Sequence, residues 1–321
     1  MKIPFSSLFP KTLALGALIF LSAVVGAGPG GAETVSPEIL KSIVSLLPEW
    51  PAVRRRPKKP EGTAVAVLPG GYLATNDHVI GPAQKIRIRL HAGRVLPAEI
   101  IGRDTLTDLA LIKAPMDLPV LPVGREPGLG ERVCAIGNQF GLGLSVTCGV
   151  ASALHRTGTG FNRIEDFIQT DAVVNPGGSG GALIDDRGHL IGLVSAIFTK
   201  DSDANIGVNF AASMKLVMRV VQDIKETGRV IRGHPGFRAR DLTLEERRTA
   251  AGAAINQITR GDAAEGAGLK IGDIIVAIGE RKILKASDIP SAVHMVRPGQ
   301  SLAIEFIRSG NRQTATLVLA E

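Results

Sequence analysis

The sequence predicts a mostly β fold, built from antiparallel strands and divided into two domains. With 321 residues, 45% of them hydrophobic and 21% charged, the chain is ordinary globular material with room for two domains. Short segments between residues 61 and 210 alternate apolar and polar side chains; in 85–90, Ile86, Ile88 and Leu90 share one strand face. Gly and Pro turns separate these segments, which favours antiparallel barrels over alternating βαβ units.

Residues 1–32 have the composition of a targeting segment. Lys2 and Lys11 supply positive charge, and 12–27 is an uninterrupted run of apolar and small residues. Two interpretations stand: a signal peptide cleaved after Ala32, or an uncleaved membrane anchor, because the run approaches the length that crosses a bilayer. Both predict that the remainder is exported to the periplasm or cell envelope.

Residues 33–60 are predicted to form a helix followed by a basic linker. Ser36 and Pro37 suit the N-cap and first turn of a helix. Apolar residues then recur at helical spacing before Pro48, namely Ile39, Leu40, Ile43, Val44 and Leu47. The basic stretch 54–60 is stiffened by proline and is expected to be solvated.

The net charge of +7 and the pI near 9.6 raise the question of nucleic-acid binding. The basic excess is partly concentrated in residues 54–60, without interleaved aromatic residues or a nucleic-acid-reading motif. We therefore expect no nucleic-acid partner. Attraction to an anionic membrane surface stays open.

Ser179 lies between two pairs of glycines in 175–181, which is unusual for a loop that only has to turn. Such a loop can turn the N–H groups of Gly177 and Ser179 toward one point, as an oxyanion requires.

Two upstream segments contain the partners that a nucleophilic serine needs. His78 follows a short apolar strand, and Asp108 precedes another. A base must take the serine proton, and a carboxylate must hold the imidazole of that base. The order His78, Asp108, Ser179 matches one known order of this catalytic triad.

The motifs that contain these residues resemble those of the HtrA (Deg-type) trypsin-like serine proteases. They are the segments 75–79, 107–111, 137–143 and 169–181. The similarity runs from about residue 61 to the C-terminus. It implies a double β-barrel with His78 and Asp108 on the first barrel and Ser179 on the second. It also implies that the segment before the barrels contributes to trimer contacts, and that misfolded proteins are the substrates.

The resemblance also suggests a primary specificity pocket. Its floor would be Val173, six residues before the nucleophile, and its wall the strand with Ser195, Ala196 and Ile197. These positions provide no carboxylate to pair with a buried Lys or Arg. Cleavage after small or medium aliphatic residues is therefore expected.

Cys134 and Cys148 are the only cysteines. They are equally far from Gly141, so a hairpin centred there would place them opposite each other. In an exported protein, either a disulfide or two buried thiols fits this arrangement. Neither cysteine has metal-site spacing and the six histidines form no HExxH motif, so we expect no metal and no other cofactor.

Residues 236–321 resemble a PDZ domain, joined to the protease domain (61–228) by the linker 229–235. The segments 253–258, 273–278, 302–307 and 314–319 are expected to be strands, and Ser287 is expected to cap a helix. By resemblance, Gly236 and Phe237 belong to a carboxylate-binding loop, and Ile289 and Val293 line a groove for peptide C-termini. A non-binding spacer domain is the alternative.

Two departures from the family pattern predict low basal activity. Gly178 stands where relatives usually have Asn or Asp, and without a side chain the oxyanion loop is entropically harder to fix. Residues 206–212 also differ from the usual Gly-Phe-Ala-Ile-Pro sequence. Two functions remain: an endopeptidase of misfolded proteins, or a PDZ-bearing chaperone or sensor on a protease scaffold.

Overall fold

The computed structural model describes residues 35–50, 61–197 and 206–320, with only the backbone described at 196 and 197. The predicted targeting segment 1–32 and the basic stretch 54–60 lie outside these residues. Within them the chain forms two closed barrels and a third, open sheet.

Six antiparallel strands close the first barrel in the order β1-β2-β3-β6-β5-β4. They are β1 (Ile43–Glu49), β2 (Gly62–Leu68), β3 (Tyr72–Asn76), β4 (Lys85–Arg89), β5 (Val95–Asp104) and β6 (Leu109–Lys113). Ile86 and Ile88 of β4 are buried, as the alternation predicts. One helical turn, α1 (Asp77–Ile80), follows β3.

The predicted N-terminal helix is wrong beyond Ser42. Only Pro37–Ser42 is helical, as a 3-10 helix; its N-cap Ser36 accepts a hydrogen bond from Glu38 N. The chain then extends as β1 and pairs with both β2 and β4. The first barrel therefore begins at Ile43 and not near residue 61. Closing the barrel requires a sixth strand, and this pairing outweighs the helical spacing of the apolar residues.

The second barrel has the order β10-β11-β12-β9-β8-β7. Its strands are β7 (Arg132–Gly137), β8 (Ser145–Arg156), β9 (Phe167–Thr170), β10 (Ala182–Ile184), β11 (Leu190–Ile197) and β12 (Asn209–Ser213). The helix α2 (Met214–Thr227) follows. As predicted, the Ser213 side chain caps it by accepting from Leu216 N, and Gly228 ends it at φ +77°. One apolar core joins both barrels and α2.

The C-terminal sheet has the strand order β13-β14-β15-β17-β18, with β16 paired to β15. Its elements are β13 (Phe237–Asp241), β14 (Ala253–Ile258), α3 (Ala263–Gly266), β15 (Ile274–Ile278), β16 (Arg281–Lys282), α4 (Asp288–His294), β17 (Ser301–Arg308) and β18 (Asn311–Val318). All four predicted strands are present, displaced by no more than a few residues. The predicted cap is wrong: Ser287 Oγ makes no capping bond and lies 3.3 Å from Thr157 Oγ1 of the second barrel.

Candidate active site

The three predicted triad residues come from turns at strand ends. His78 lies in the single turn of α1, and Asp108 immediately precedes β6. Ser179 lies in the loop 171–181 between β9 and β10. Asn76 connects the two barrels here, because its side chain donates to Asp108 O (3.0 Å) and to Ser195 Oγ on β11 (3.3 Å).

Asp108 holds His78 with both carboxylate oxygens. Oδ2 lies 2.6 Å from the ring Nδ1, and Oδ1 accepts from the main-chain N of His78 at 2.8 Å. The backbone of Asp108 is left-handed, with φ +57°, a conformation that Asp tolerates better than most residues. A carboxylate accepts only, so Nδ1 must carry a proton. The other nitrogen, Nε2, is then free to act as a base.

The Ser179 hydroxyl is not hydrogen-bonded to the imidazole in the part of the chain that the structure describes. It donates to Ser195 O at 3.4 Å. The main chain of Ser179 is fixed, because its carbonyl accepts from Thr63 N at 3.0 Å. The first barrel thus holds the main chain of Ser179, while its hydroxyl bonds to Ser195 O.

The turn before Ser179 is a type II β-turn over residues 175–178. Gly178 N donates to Asn175 O at 2.9 Å, Pro176 holds the second position, and Gly177 holds the third with φ +97°. The carbonyl of Pro176 accepts from Phe140 N at 2.7 Å. In a trans peptide the N–H points away from the carbonyl, so the Gly177 N–H faces away from Phe140.

Neither Gly177 N nor Ser179 N has a hydrogen-bond acceptor among the described residues. Unpaired main-chain donors are rare in folded proteins unless a ligand or water serves them. Two unpaired N–H groups beside a serine hydroxyl are the arrangement that stabilises a tetrahedral oxyanion.

Close backbone approach explains the glycines on both sides of Ser179. A Cβ at Gly177 would lie 2.3 Å from Asn138 O, and one at Gly180 would lie 2.1 Å from Thr63 O. Both positions also have left-handed φ values. Side chains are therefore excluded from both, as the sequence pattern indicates.

The proposed specificity pocket is described only in part. Val173 is 44% exposed, and its carbonyl accepts from Thr147 Oγ1 (2.5 Å) and Gln139 Nε2 (3.3 Å). Ser195 is buried, whereas the side chains of residues 196 and 197 lie outside the described residues. The carboxylate of Asp171 accepts from Val150 N at 2.7 Å, which occupies that oxygen.

Cys134 and Cys148 face each other in the antiparallel pair β7–β8, in the register that the hairpin predicts. Their sulfur atoms form a disulfide. Cys134 is buried and Cys148 is exposed. The disulfide lies below the hairpin tip that contains Phe140.

Two residues that hold the turn 175–178 (the oxyanion turn) have no role in the sequence-based prediction. They are Phe140 and Thr63 of β2, whose hydroxyl donates to Gly177 O at 2.7 Å. The family motif 137–143 is the available signal for Phe140. Nothing in the pattern of β2 distinguishes Thr63 from an ordinary strand residue.

The four predicted groove residues of the C-terminal domain lie near one pocket of about 390 Å³. Phe237 of β13 and both Ile289 and Val293 of α4 line this pocket. Gly236 directly precedes Phe237 with φ +73°. Ile164, from the loop between β8 and β9 of the second barrel, lines the same pocket. The unpaired edge of β13 beside α4 is the geometry that β-strand addition uses.

Several polar contacts hold that same loop of the second barrel against the C-terminal domain. Thr157 Oγ1 donates to Asp288 Oδ1, and Lys285 Nζ donates to Thr157 O, both at 2.5 Å. Arg281 donates to the buried carboxylate of Asp166 at 3.0 Å. His155 also bonds to Asp166 (3.0 Å), a contact that raises the pKa of His155.

No cluster of three potential metal ligands occurs in the described parts of the chain. Within the same parts, every helix is too short or too polar to span a bilayer.

Two protein-family matches cover most of the chain. Residues 62–193 match the trypsin-like peptidase domain, and residues 204–319 match the PDZ domain. The "Probable periplasmic serine endoprotease DegP-like" of Chlamydia pneumoniae is 36% identical over 271 residues, which cover 81% of this chain and 55% of that protein. The chain thus spans little more than half of this relative.

Other relatives are matched over more of their length. "Serine endoprotease DegS" of Escherichia coli K12 is 33% identical, over 81% of this chain and 76% of that protein. Among solved structures, "HtrA-type protease AlgW with tripeptide" has a TM-score of 0.70 and 37% identity, covering 88% of this chain and 94% of that one.

Proposed function

The chain belongs to the HtrA family of trypsin-like serine endoproteases with a PDZ domain, and we propose that it is an exported endopeptidase that degrades misfolded or damaged proteins. One observation carries this proposal. The Asp108–His78 pair lies at the barrel junction, and the N–H groups of Gly177 and Ser179 lack acceptors among the described residues. Names of relatives that specify periplasmic endoproteases support the cellular location.

The reaction follows from the positions of these groups. Ser179 Oγ turns from Ser195 O toward His78 Nε2, which takes its proton as Oγ bonds to the substrate carbonyl carbon. The carbonyl oxygen becomes an oxyanion and accepts from Gly177 N–H and Ser179 N–H, while Asp108 stabilises the imidazolium. The imidazolium then protonates the leaving nitrogen as the C–N bond breaks. Water, deprotonated by the same imidazole, releases the acyl group.

We expect cleavage after small or medium aliphatic residues. Val173 at the proposed pocket floor is apolar, and the neighbouring Asp171 carboxylate is already bonded to Val150 N. A buried Lys or Arg side chain would therefore lack a partner. Sequencing the products of a peptide library tests this, and a strong preference for Arg would contradict the pocket assignment.

The PDZ domain is proposed to bind peptide C-termini in the pocket between β13 and α4. An incoming peptide would add a strand to β13, and its carboxylate would meet the loop that contains Gly236.

Because Ile164 of the protease domain lines this pocket, an occupying peptide would meet the loop between β8 and β9. We therefore propose low basal turnover that rises when peptide binds. Rates measured across a peptide titration test this, and full activity without peptide would contradict it.

Casein digestion by the mature protein, with Ser179→Ala as control, tests the catalytic proposal most directly. Loss of digestion in the variant is expected.

The orientation of Ser179 Oγ toward Ser195 O favours a second candidate, a PDZ-bearing chaperone or sensor with a weakly active protease scaffold. A fluorophosphonate probe separates the two, because only an activated serine is labelled.

The oligomeric state proposed is a trimer, with contacts made by the segment before the barrels. Light scattering of the purified mature protein tests this. A monomer at micromolar concentration would contradict it.

A further inference from the structure

Thr63 contacts Gly177 and Ser179, whose N–H groups lack acceptors among the described residues. It is fully buried on β2, and its hydroxyl donates to Gly177 O at 2.7 Å. Its main-chain N donates to Ser179 O at 3.0 Å. We propose that Thr63 is a positioning residue for the oxyanion site. This inference rests on the proposed endopeptidase function.

The hydroxyl of Thr63 also holds the hairpin tip that makes a second hydrogen bond to the oxyanion turn. It accepts from Asn138 N at 2.9 Å, at the start of the β7–β8 hairpin tip. The same tip provides Phe140 N, which holds Pro176 O. One side chain on the first barrel therefore acts on both peptide groups that flank Gly177: directly on one, and through the hairpin tip on the other.

The direction of the Gly177 N–H depends on two hydrogen bonds, from Thr63 Oγ1 to Gly177 O and from Phe140 N to Pro176 O. Glycine adopts positive and negative φ with similar ease, so a type II turn with glycine in the third position can change to type I. That change rotates the peptide between Pro176 and Gly177 and turns its N–H away from the oxyanion. Bonds to the carbonyls on both sides of Gly177 oppose the rotation. Gly178 has no side chain that could do so.

A hydroxyl serves here because one oxygen atom donates to Gly177 O and accepts from Asn138 N. Valine has the shape of threonine but would leave Gly177 O and Asn138 N without their partner. Serine keeps both bonds. Since Thr63 contacts neither substrate nor the reacting atoms, its loss is expected to lower kcat and to leave KM nearly unchanged.

The test compares Thr63→Val with Thr63→Ser in steady-state hydrolysis of a peptide substrate by the full mature chain. We expect Thr63→Val to lower kcat about 10- to 100-fold, less than or similar to deletion of one oxyanion donor. We expect Thr63→Ser to stay within about threefold of wild type. A matched control is Ser45→Ala, because Ser45 is buried opposite Thr63 on β1 and bonds to Arg89 instead.

A peptide aldehyde gives a readout that general loss of stability does not move. Its hemiacetal oxygen occupies the oxyanion site, whereas the corresponding peptide alcohol has no carbonyl and forms no adduct there. We expect the aldehyde to bind Thr63→Val more weakly by the same factor as kcat, with the affinity for the alcohol unchanged. An equal loss for both ligands would overturn the positioning role.

If Thr63→Val does not fold, the kcat values of Thr63→Ala and Thr63→Ser are compared instead to test the proposal. A kcat ratio of tenfold or more supports the proposal, and equal rates overturn it. Wild-type protein that neither hydrolyses peptide nor binds the aldehyde would overturn the endopeptidase function and this role with it. An active wild type with Thr63→Val within twofold would overturn the role of Thr63 alone.

Discussion

In the proposed mechanism, Asp108 determines which nitrogen of His78 acts as the base, since it accepts from Nδ1 at 2.6 Å. We predict that Asp108→Asn lowers kcat by about 10⁴, because the amide can donate to Nδ1 and stabilise the wrong tautomer. KM should change little, since Asp108 is not expected to contact substrate. Stopped-assay kinetics on a peptide substrate measure this. Asp117→Asn is the matched control and should retain full activity, because Asp117 lies in the segment after β6 and accepts from Gly70 N.

Gly178 differs from its neighbour Gly177 in backbone conformation. Its φ lies outside the left-handed region, and an added Cβ would lie 3.1 Å from Asn175 O and 3.3 Å from Val174 Cγ1. We predict that Gly178→Ala raises basal kcat about two- to fivefold. The added Cβ restricts the backbone of the disordered loop and so favours the ordered state of the loop by about 0.4–1 kcal/mol. Hydrolysis without added PDZ peptide is the measurement.

Gly177→Ala is the contrasting variant, because its φ of +97° and a Cβ 2.3 Å from Asn138 O exclude a side chain. It should lose activity. A fall in rate for Gly178→Ala as large as that of Gly177→Ala would contradict the distinction between them.

The proposed catalytic triad could be recognised in the sequence because each member lies in a local motif. Thr63 could not, because its role depends on contact with a turn 114 residues away. A buried strand threonine looks the same in sequence whether its hydroxyl is structural or holds an oxyanion turn. The rotamer of Ser179 is likewise a tertiary property.

At the scale of elements, the β7–β8 hairpin positions the oxyanion turn and contains the disulfide. Removing a cross-link that closes a loop of about 15 residues costs about 3 kcal/mol in the chain-entropy account. We predict that Cys134→Ala/Cys148→Ala lowers the free energy of unfolding by about this amount. Denaturant unfolding measures it, and wild type in excess dithiothreitol should match the double variant. Two free thiols in unreduced, denatured wild type would contradict the prediction.

The N-terminal segment illustrates where element prediction fails. The apolar residues of 39–47 fit a period of 3.6, but a short apolar run does not separate helix from buried strand. The partners of β1 are β2 and β4, and β4 lies about 40 residues downstream. By contrast, α2 was predicted correctly because both of its ends carry local signals, Ser213 and Gly228.

At the scale of the whole molecule, ion pairs with buried carboxylates join the PDZ domain to the protease domain. Arg297 of the PDZ domain pairs with Asp223 of α2 at 2.7 Å, and Arg232 of the linker pairs with Asp104 of β5. His294, at the end of α4, is 4% exposed, and neither ring nitrogen has a hydrogen-bond partner within the described ranges. Burial, together with the nearby Arg232 and Arg219, lowers the pKa of His294 to about 4.

This lowered pKa makes the folded protein sensitive to acid in a defined range. Below its ordinary pKa of 6.5, His294 in the unfolded chain binds a proton that the folded protein does not bind until about pH 4. Stability from this group is therefore present above pH 6.5 and is lost as pH falls toward 4, by about 2 kcal/mol at pH 5. We predict that His294→Leu, which removes the titrating group, reduces the Tm difference between pH 7.5 and pH 5 by about 4 °C. Calorimetry at both pH values measures this, with exposed His91→Leu as the matched control. An unchanged Tm difference in His294→Leu would mean that other groups control the acid sensitivity of the domain interface.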